Sequence, residues 1–218
     1  MKNAVICFTR VPRPGQTKTR LLPILKPEQC VSLHWAFLRD LARIYSQVDA
    51  HLFIAYVPDP DWESLKSVFP AAGYLPQKGR DLGEKMYRAI REVLSLGYQS
   101  AVLTGADLPM MTAAHINSGF AALENHDIAL GPTSDGGYYL VGMKEARREV
   151  FRVEGYGGNS VFENTVAAAA DAGLTVGHAL ECDDVDTPED LRNLAQTIHP
   201  DTHTGKYLNE LRKETIGL

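Results

Sequence analysis

The sequence predicts an α/β fold built on a mostly parallel sheet. Three observations lead there. Short apolar runs alternate with longer stretches whose apolar residues recur every three or four positions, which is the pattern of βα units. The chain has 218 residues, 44% hydrophobic and 22% charged, an ordinary globular composition with length enough for one sizeable core. No repeat, low-complexity tract or Gly/Ser/Pro-rich linker divides it.

The elements follow in order. Ala4–Phe8 reads as a first strand, and Glu28–Gln47 as a helix with Pro27 at its first turn. The helix carries an apolar stripe of Val31, Trp35, Leu38, Leu41, Ala42, Tyr45 and Val48. His51–Val57 is a second strand, Trp62–Phe69 a short helix and Tyr74–Pro76 a short strand. Asp81 caps the next helix, with Glu84 three residues on forming a capping-box-like pair. Leu82, Met86, Ile90, Val93 and Leu94 then share one face. Ser100–Thr104 reads as a buried strand and Thr112–Glu124 as a helix. Ile128–Leu130 and Tyr138–Gly142 are strands around a Gly-rich turn. Val161–Ala172 is an Ala-rich helix stopped by Gly173. Thr175–Glu181 is a last strand, and Thr187 with Pro188 and Asp190 opens a final core helix. The expected domain spans residues 1–198. Residues 199–218 read as a polar C-terminal appendage with a short helix at Lys206–Lys213.

Composition excludes several functions. A net charge of −5 excludes a generally basic nucleic-acid-coating protein. No run approaches the ~18 apolar residues of a membrane span, and the first apolar run ends at Thr9, short of a signal-peptide core. Cys7, Cys30 and Cys182 are odd in number, far apart and without a C-x-x-C pair. That argues against a disulfide framework and for a reducing, cytoplasmic setting.

The charge is uneven. Residues 1–27 hold Lys2, Arg10, Arg13, Lys18, Arg20 and Lys26 and no acid, so all 27 acidic residues lie further on. A cationic segment on an acidic protein points to a local anion site. The loop after the first strand, Arg10 to Leu21, fails as an ATP-binding P-loop because Thr17 stands where a glycine is needed before Lys18. It keeps Gly15 as a turn former, with Arg10, Lys18 and Arg20 as cations for a di- or triphosphate at the carboxyl end of a strand. No acid nearby in the sequence pairs with them.

Three acidic constellations remain. Asp107, after the strand Ser100–Thr104, suits a Mg²⁺ ligand or a turn cap. Asp135-Gly136-Gly137 is a turn signal, and its glycines also allow a ligand close to the backbone. Asp184 and Asp186 precede a helix, where acids are favourable in themselves, yet either can supply a second metal carboxylate. Gly155–Ser160 reads as a loop that borders a site or covers it.

Taken in order, five motifs resemble a bacterial family assigned to transferases of the GT-A, or nucleotide-diphospho-sugar transferase, fold. They are Pro14–Leu21, Gln77–Met86, Gly105–Pro109, Gly131-Pro132 with Asp135–Leu140, and Asp184–Leu191. That family is related to molybdenum-cofactor and phospholactate guanylyltransferases. The resemblance implies a three-layer α/β/α sandwich with nucleotide bound over the first strands. It implies phosphates on the loop ending in Lys18 and Arg20, and Asp107 at the fold's metal-binding position. There are two departures. Lys18 stands where the broader nucleotidyltransferase signature has glycine, and the usual Asp-x-Asp pair is Asp107-Leu108-Pro109.

The expectation is therefore a cytoplasmic transferase with a nucleotide or nucleotide-sugar donor, an unidentified acceptor and Mg²⁺ or Mn²⁺. Glycosyl transfer is the first reading, and nucleotidyl transfer with pyrophosphate release or non-catalytic nucleotide binding the alternatives. Lys18 and Asp135 are the expected catalytic groups. Gly15, Arg10, Lys18, Arg20, Gly136 and Gly137 would bind nucleotide, and Asp107 and Asp186 metal.

Overall fold

The computed structural model describes residues 2–153 and 160–214. The strands are β1 (Asn3–Thr9), β2 (His51–Tyr56), β3 (Gly73–Pro76), β4 (Ser100–Thr104), β5 (Ile128–Pro132), β6 (Tyr138–Met143) and β7 (Val176–His178). They form one sheet in the order β3-β2-β1-β4-β6-β5-β7. β6 runs antiparallel to both its neighbours, and the other pairings are parallel. The mostly parallel α/β class is as expected. Both faces of β1 are covered: Val5 and Cys7 pack on one side, Ala4 and Ile6 on the other. That is why the strand reads as a continuous apolar run rather than an alternation.

Helices α1 (Pro27–Tyr45) and α3 (Ala113–Asn125) lie on one face, α2 (Leu82–Ser95) and α4 (Val161–Asp171) on the other. Three layers result. A third cluster joins Leu21, Leu25, Leu33 and Phe37 to Leu191 and Leu194 of α5 (Pro188–Thr197) and to Leu208 and Leu211 of α6 (His203–Glu214).

Several local details differ from the sequence reading. α1 is buried on two faces rather than one stripe, because α5 and α6 cover the side that carries Leu33 and Phe37. The segment set apart as an appendage carries α6, which starts three residues earlier than expected. The Asp40 carboxylate of α1 accepts from the backbone N–H groups of His203 and Thr204 at 2.8 Å each, capping α6. β7 is only three residues long, and its chain then continues along the edge through Ala179 N–H to Leu130 C=O. Asp81 does accept from Glu84 N–H at 2.7 Å. The Glu84 carboxylate returns to Arg80 N–H instead of Asp81 N–H, held there by Arg80 and Arg88. Thr187 and Asp190 form the capping box expected at α5. Residues 154–159 of the glycine-rich loop lie outside the described residues.

Candidate active site

The loop after β1 is shaped by its own backbone. Gly15 takes φ +72°, and Thr17, buried, accepts from Arg13 N–H at 2.8 Å. Lys18 then adopts φ 50°, ψ 44°, the one non-glycine among the described residues with positive φ. This conformation costs about 1–2 kcal/mol for a residue with a Cβ. It also accounts for the departure seen in the sequence: a position whose backbone suits glycine holds a lysine. The turn swings the Lys18 side chain inward, where it is only 3% exposed.

Inside, Lys18 Nζ meets Asp107 Oδ1 at 2.6 Å, Asp186 Oδ1 at 3.1 Å and Val185 C=O at 2.6 Å. It also stands 5.4 Å from the Phe37 ring centroid. The cationic loop is therefore not free of acids. They arrive from strand ends distant in sequence, which local inspection of residues 1–27 cannot find. Arg13 is likewise held by Asp59, with Nη2 to Oδ1 at 2.6 Å. Arg20 reaches Asp186 at 3.3 Å and stays solvent-exposed. Arg10 is exposed and has no charged partner among the described residues.

Asp107 lies just beyond β4. Its backbone C=O accepts from Val185 N–H at 2.9 Å, which docks the segment 184–186 beside it. In this extended stretch Val185 is buried while Asp184 and Asp186, two apart, share the opposite side. His34 of α1 completes the cluster, with Nδ1 3.2 Å from Asp107 Oδ1. Sequence reasoning missed His34, since it lies off the apolar stripe and meets Asp107 only in the folded chain. Burial pushes the Asp107 carboxyl up, but the Lys18 ammonium and His34 outweigh it and hold it well below the ordinary carboxylate range. Asp184 behaves oppositely. Burial and the adjacent Asp186 charge, helped by Asp107 and Asp135, push it up to about 6 against the pull of Lys18, although its rim is open to solvent.

Two cavities meet at Asp107. One, of about 230 Å³, is polar and is lined by Arg10, Gln16, Thr17, Lys18, Thr19, Arg20, His34, Asp107 and Asp186. The other, of about 280 Å³, has apolar walls from Phe8, Leu82, Met86, Leu103 and Tyr138, with Asp107, Asp135 and Asp184 at its edge. Of the residues expected from sequence, Arg10, Lys18, Arg20, Asp107 and Asp186 come together in the first. Asp135 and Gly137 border the second. Gly15 and Gly136 line neither and serve as positive-φ turn positions. Asp135 Oδ1 is fixed by its own turn, accepting from Gly137 N–H at 3.0 Å and from the Thr133 hydroxyl. Of the two tyrosines, Tyr139 is core, donating to Leu180 C=O at 2.8 Å, and Tyr138 faces the apolar cavity.

Among the described residues no three acidic, imidazole or thiol groups converge as a metal cage. Mg²⁺ does not need one, since it takes one or two carboxylates and completes its shell with phosphate oxygens and water. Asp107 and Asp184, crowded carboxylates facing one cavity, form a fitting oxygen donor pair. Asp186 is the less open group, being engaged by both Lys18 and Arg20. The three cysteines are buried, and burial raises each thiol, to about 12 for Cys7 and Cys182, so they are poor nucleophiles. No helix of the described residues is long and apolar enough to cross a membrane.

Comparison with known proteins places these features in context. The model of a family described as "Uncharacterized protein conserved in bacteria (DUF2064)" matches residues 40–157, just over half the chain. A phosphoenolpyruvate guanylyltransferase of Sphaerobacter thermophilus is 30% identical over 200 residues, covering 87% of this chain and 92% of that protein. A 2-phospho-L-lactate guanylyltransferase of Methanocaldococcus infernus is 25% identical over 195 residues, covering 89% and 85%. A crystal structure of a Desulfovibrio desulfuricans protein, assigned by name to the nucleotide-diphospho-sugar transferases, superposes with a TM-score of 0.89 at 31% identity, covering 98% of this chain and 96% of that one.

Proposed function

Since the chain belongs to the DUF2064 family, with guanylyltransferases among its relatives, we propose that it is a transferase acting on a nucleotide-activated substrate. The observation that carries this reading is the junction of a cationic polar cavity and an apolar cavity at one carboxylate, Asp107. Transfer at a phosphate centre needs charge neutralisation and alignment more than a protein nucleophile.

Arg10 and Arg20 would receive the phosphates at the mouth of the polar cavity. Lys18, already inside, would turn from the carboxylates toward the phosphates when they enter. Asp107 and Asp184 would hold Mg²⁺, with Asp186 in reserve. The ion when bound supplies charge neutralisation at the phosphates. Asp135, locked by its turn, is left to orient the acceptor at the rim of the second cavity. Gly137 brings the backbone there: a Cβ at that position would meet Thr133 Oγ1 at 3.0 Å and Asp135 Oδ1 at 3.2 Å.

Nucleotidyl transfer is the first chemistry: a nucleoside triphosphate, with guanine the base to test first, and a phosphorylated acid acceptor, with release of pyrophosphate. Both guanylyltransferase relatives support it. Glycosyl transfer from a nucleotide-diphospho-sugar is the second, supported by the name of the Desulfovibrio desulfuricans structure. A cytoplasmic setting belongs to the same proposal and is supported by three buried, unpaired cysteines. The test is product analysis with Mg²⁺ and paired donors and acceptors. Pyrophosphate release identifies nucleotidyl transfer and nucleoside diphosphate release glycosyl transfer. An Asp107→Asn variant that kept full turnover would remove Asp107 from the mechanism.

A further inference from the structure

His34 is the group in this cluster whose presence packing does not explain. It sits on α1, 4% exposed, with the Phe37 ring 6.4 Å away. A buried imidazole ordinarily satisfies at least one nitrogen. Here neither Nδ1 nor Nε2 has an aligned hydrogen-bond partner, yet Nδ1 stands 3.2 Å from Asp107 Oδ1. The short distance without alignment makes the contact electrostatic in this state and leaves it a small rotation from a hydrogen bond. The imidazole also lines the polar cavity.

Asp107 shows what the contact does. Its Oδ1 is buried and faces both His34 and Lys18, whereas the side chain as a whole is 40% exposed. The open part of the carboxylate is therefore its Oδ2 side. Two groups against one oxygen, Lys18 Nζ at 2.6 Å and His34 Nδ1 at 3.2 Å, bias the rotation of the carboxylate plane toward presenting the second oxygen to the cavities. Lys18 alone cannot do this, because it also serves Asp186 and Val185 C=O and is the group that phosphates would draw away. His34 stands on a helix whose far end is tied to the sheet by Tyr45, whose hydroxyl is 2.7 Å from Thr104 Oγ1, so it remains when Lys18 moves.

We propose that His34 is a positioning residue: it holds Asp107 Oδ1 so that Oδ2 is presented to a divalent cation. This rests on the reading of Asp107 as a cation ligand. Outer partners of metal-binding carboxylates commonly matter by about 10- to 100-fold in metal affinity.

The experiment measures Mn²⁺ binding directly, by the loss of the free-ion paramagnetic signal, in the absence of any acceptor. Mn²⁺ replaces Mg²⁺ at oxygen sites. His34→Leu removes the contact while keeping an apolar filler. His34→Asn returns an amide N–H near the position of Nδ1. The expected result is Mn²⁺ affinity about 10-fold weaker in His34→Leu and restored to within about 3-fold in His34→Asn. In an Asp107→Asn background, His34→Leu should add no further loss, because its effect runs through Asp107. Equal affinity in His34→Leu and the unaltered protein, or equal losses in the Leu and Asn variants, overturns the role of His34 and leaves Asp107 as ligand. Absence of Mn²⁺ binding by the unaltered protein overturns Asp107 as ligand and the His34 role with it. Melting temperatures of both variants separate an unfolded protein from a weakened site.

Discussion

Lys18 Nζ lies 2.6 Å from Asp107 Oδ1, so the cation of the β1 loop and the carboxylate beyond β4 hold each other before any substrate arrives. The pair is asymmetric. Lys18 is enclosed, while Asp107 and Asp186 are each about one-third or more open to water. Their contribution is therefore smaller than that of a fully buried pair.

Lys18→Met should lower stability by about 1–3 kcal/mol at neutral pH. That corresponds to roughly 3–10 °C in melting temperature for a chain of this size. The sign with pH follows from Asp107. Its folded carboxyl is held below 3.8, so it contributes stability above 3.8 that fades as pH falls below that value. The difference between variant and unaltered protein should narrow when melting is measured from pH 7 down to pH 3. A constant difference would mean that the pair is not its source.

Asp184 predicts the reverse. Its folded carboxyl is raised from 3.8 to about 6, so the ionised form works against folding once pH exceeds that interval. Asp184→Asn should melt about 1–3 °C higher at pH 7.5 and equal the unaltered protein near pH 3.5. The same variant should bind Mn²⁺ less tightly. A variant less stable at pH 7.5 would contradict the crowding of Asp184 by Asp186, Asp107 and Asp135.

The loop cations separate into two kinds. Arg13 is pinned to Asp59, while Arg10 faces the polar cavity without a charged partner among the described residues. Arg10→Ala should weaken nucleoside triphosphate binding by about 5- to 10-fold at low salt, less at high salt, with unchanged melting. Arg13→Ala should leave affinity within about 2-fold. Calorimetric titration of both variants checks this, and equal losses would erase the distinction.

Asp40→Ala removes the carboxylate that caps α6. The buried Thr204 N–H and the half-buried His203 N–H lose their acceptor, at a cost of about 1–3 kcal/mol. Limited trypsin digestion should then cut at Lys206 or Arg212, sites protected while α6 is docked. Unchanged protection would show that Leu208 and Leu211 hold α6 alone.

The sheet and most helices were legible because buried parallel strands give unbroken apolar runs and capped helices announce their starts, as at Thr187-Pro188. α1 shows where that reading ends. A helix buried on two sides has no single stripe, so Leu33, His34 and Phe37 carried no periodic signal. Asp107, Asp135, Lys18 and Arg20 stood out as charged or turn-forming residues at strand ends. Their pairing did not, since Lys18 finds its acids only after β4 and the segment before α5 have folded beside it. Asp184 and Asp186 are alike in sequence. Only the burial of Val185 and the reach of Arg20 tell the open carboxylate from the engaged one.

The hook between Asp40 and α6 bears on the order in which the chain can finish itself during synthesis. The β1 loop rests on Leu21, and Leu21 packs in a cluster whose other half is α5 and α6. A ribosome that has released residues 1–180 has made every strand of the sheet. The floor beneath the β1 loop, and the two N–H groups from which Asp40 accepts, still wait on residues 188–211. Lys18 likewise waits for Asp186. On the proposed function, binding competence is thus a late event in the life of each nascent chain, reached only once that segment has emerged.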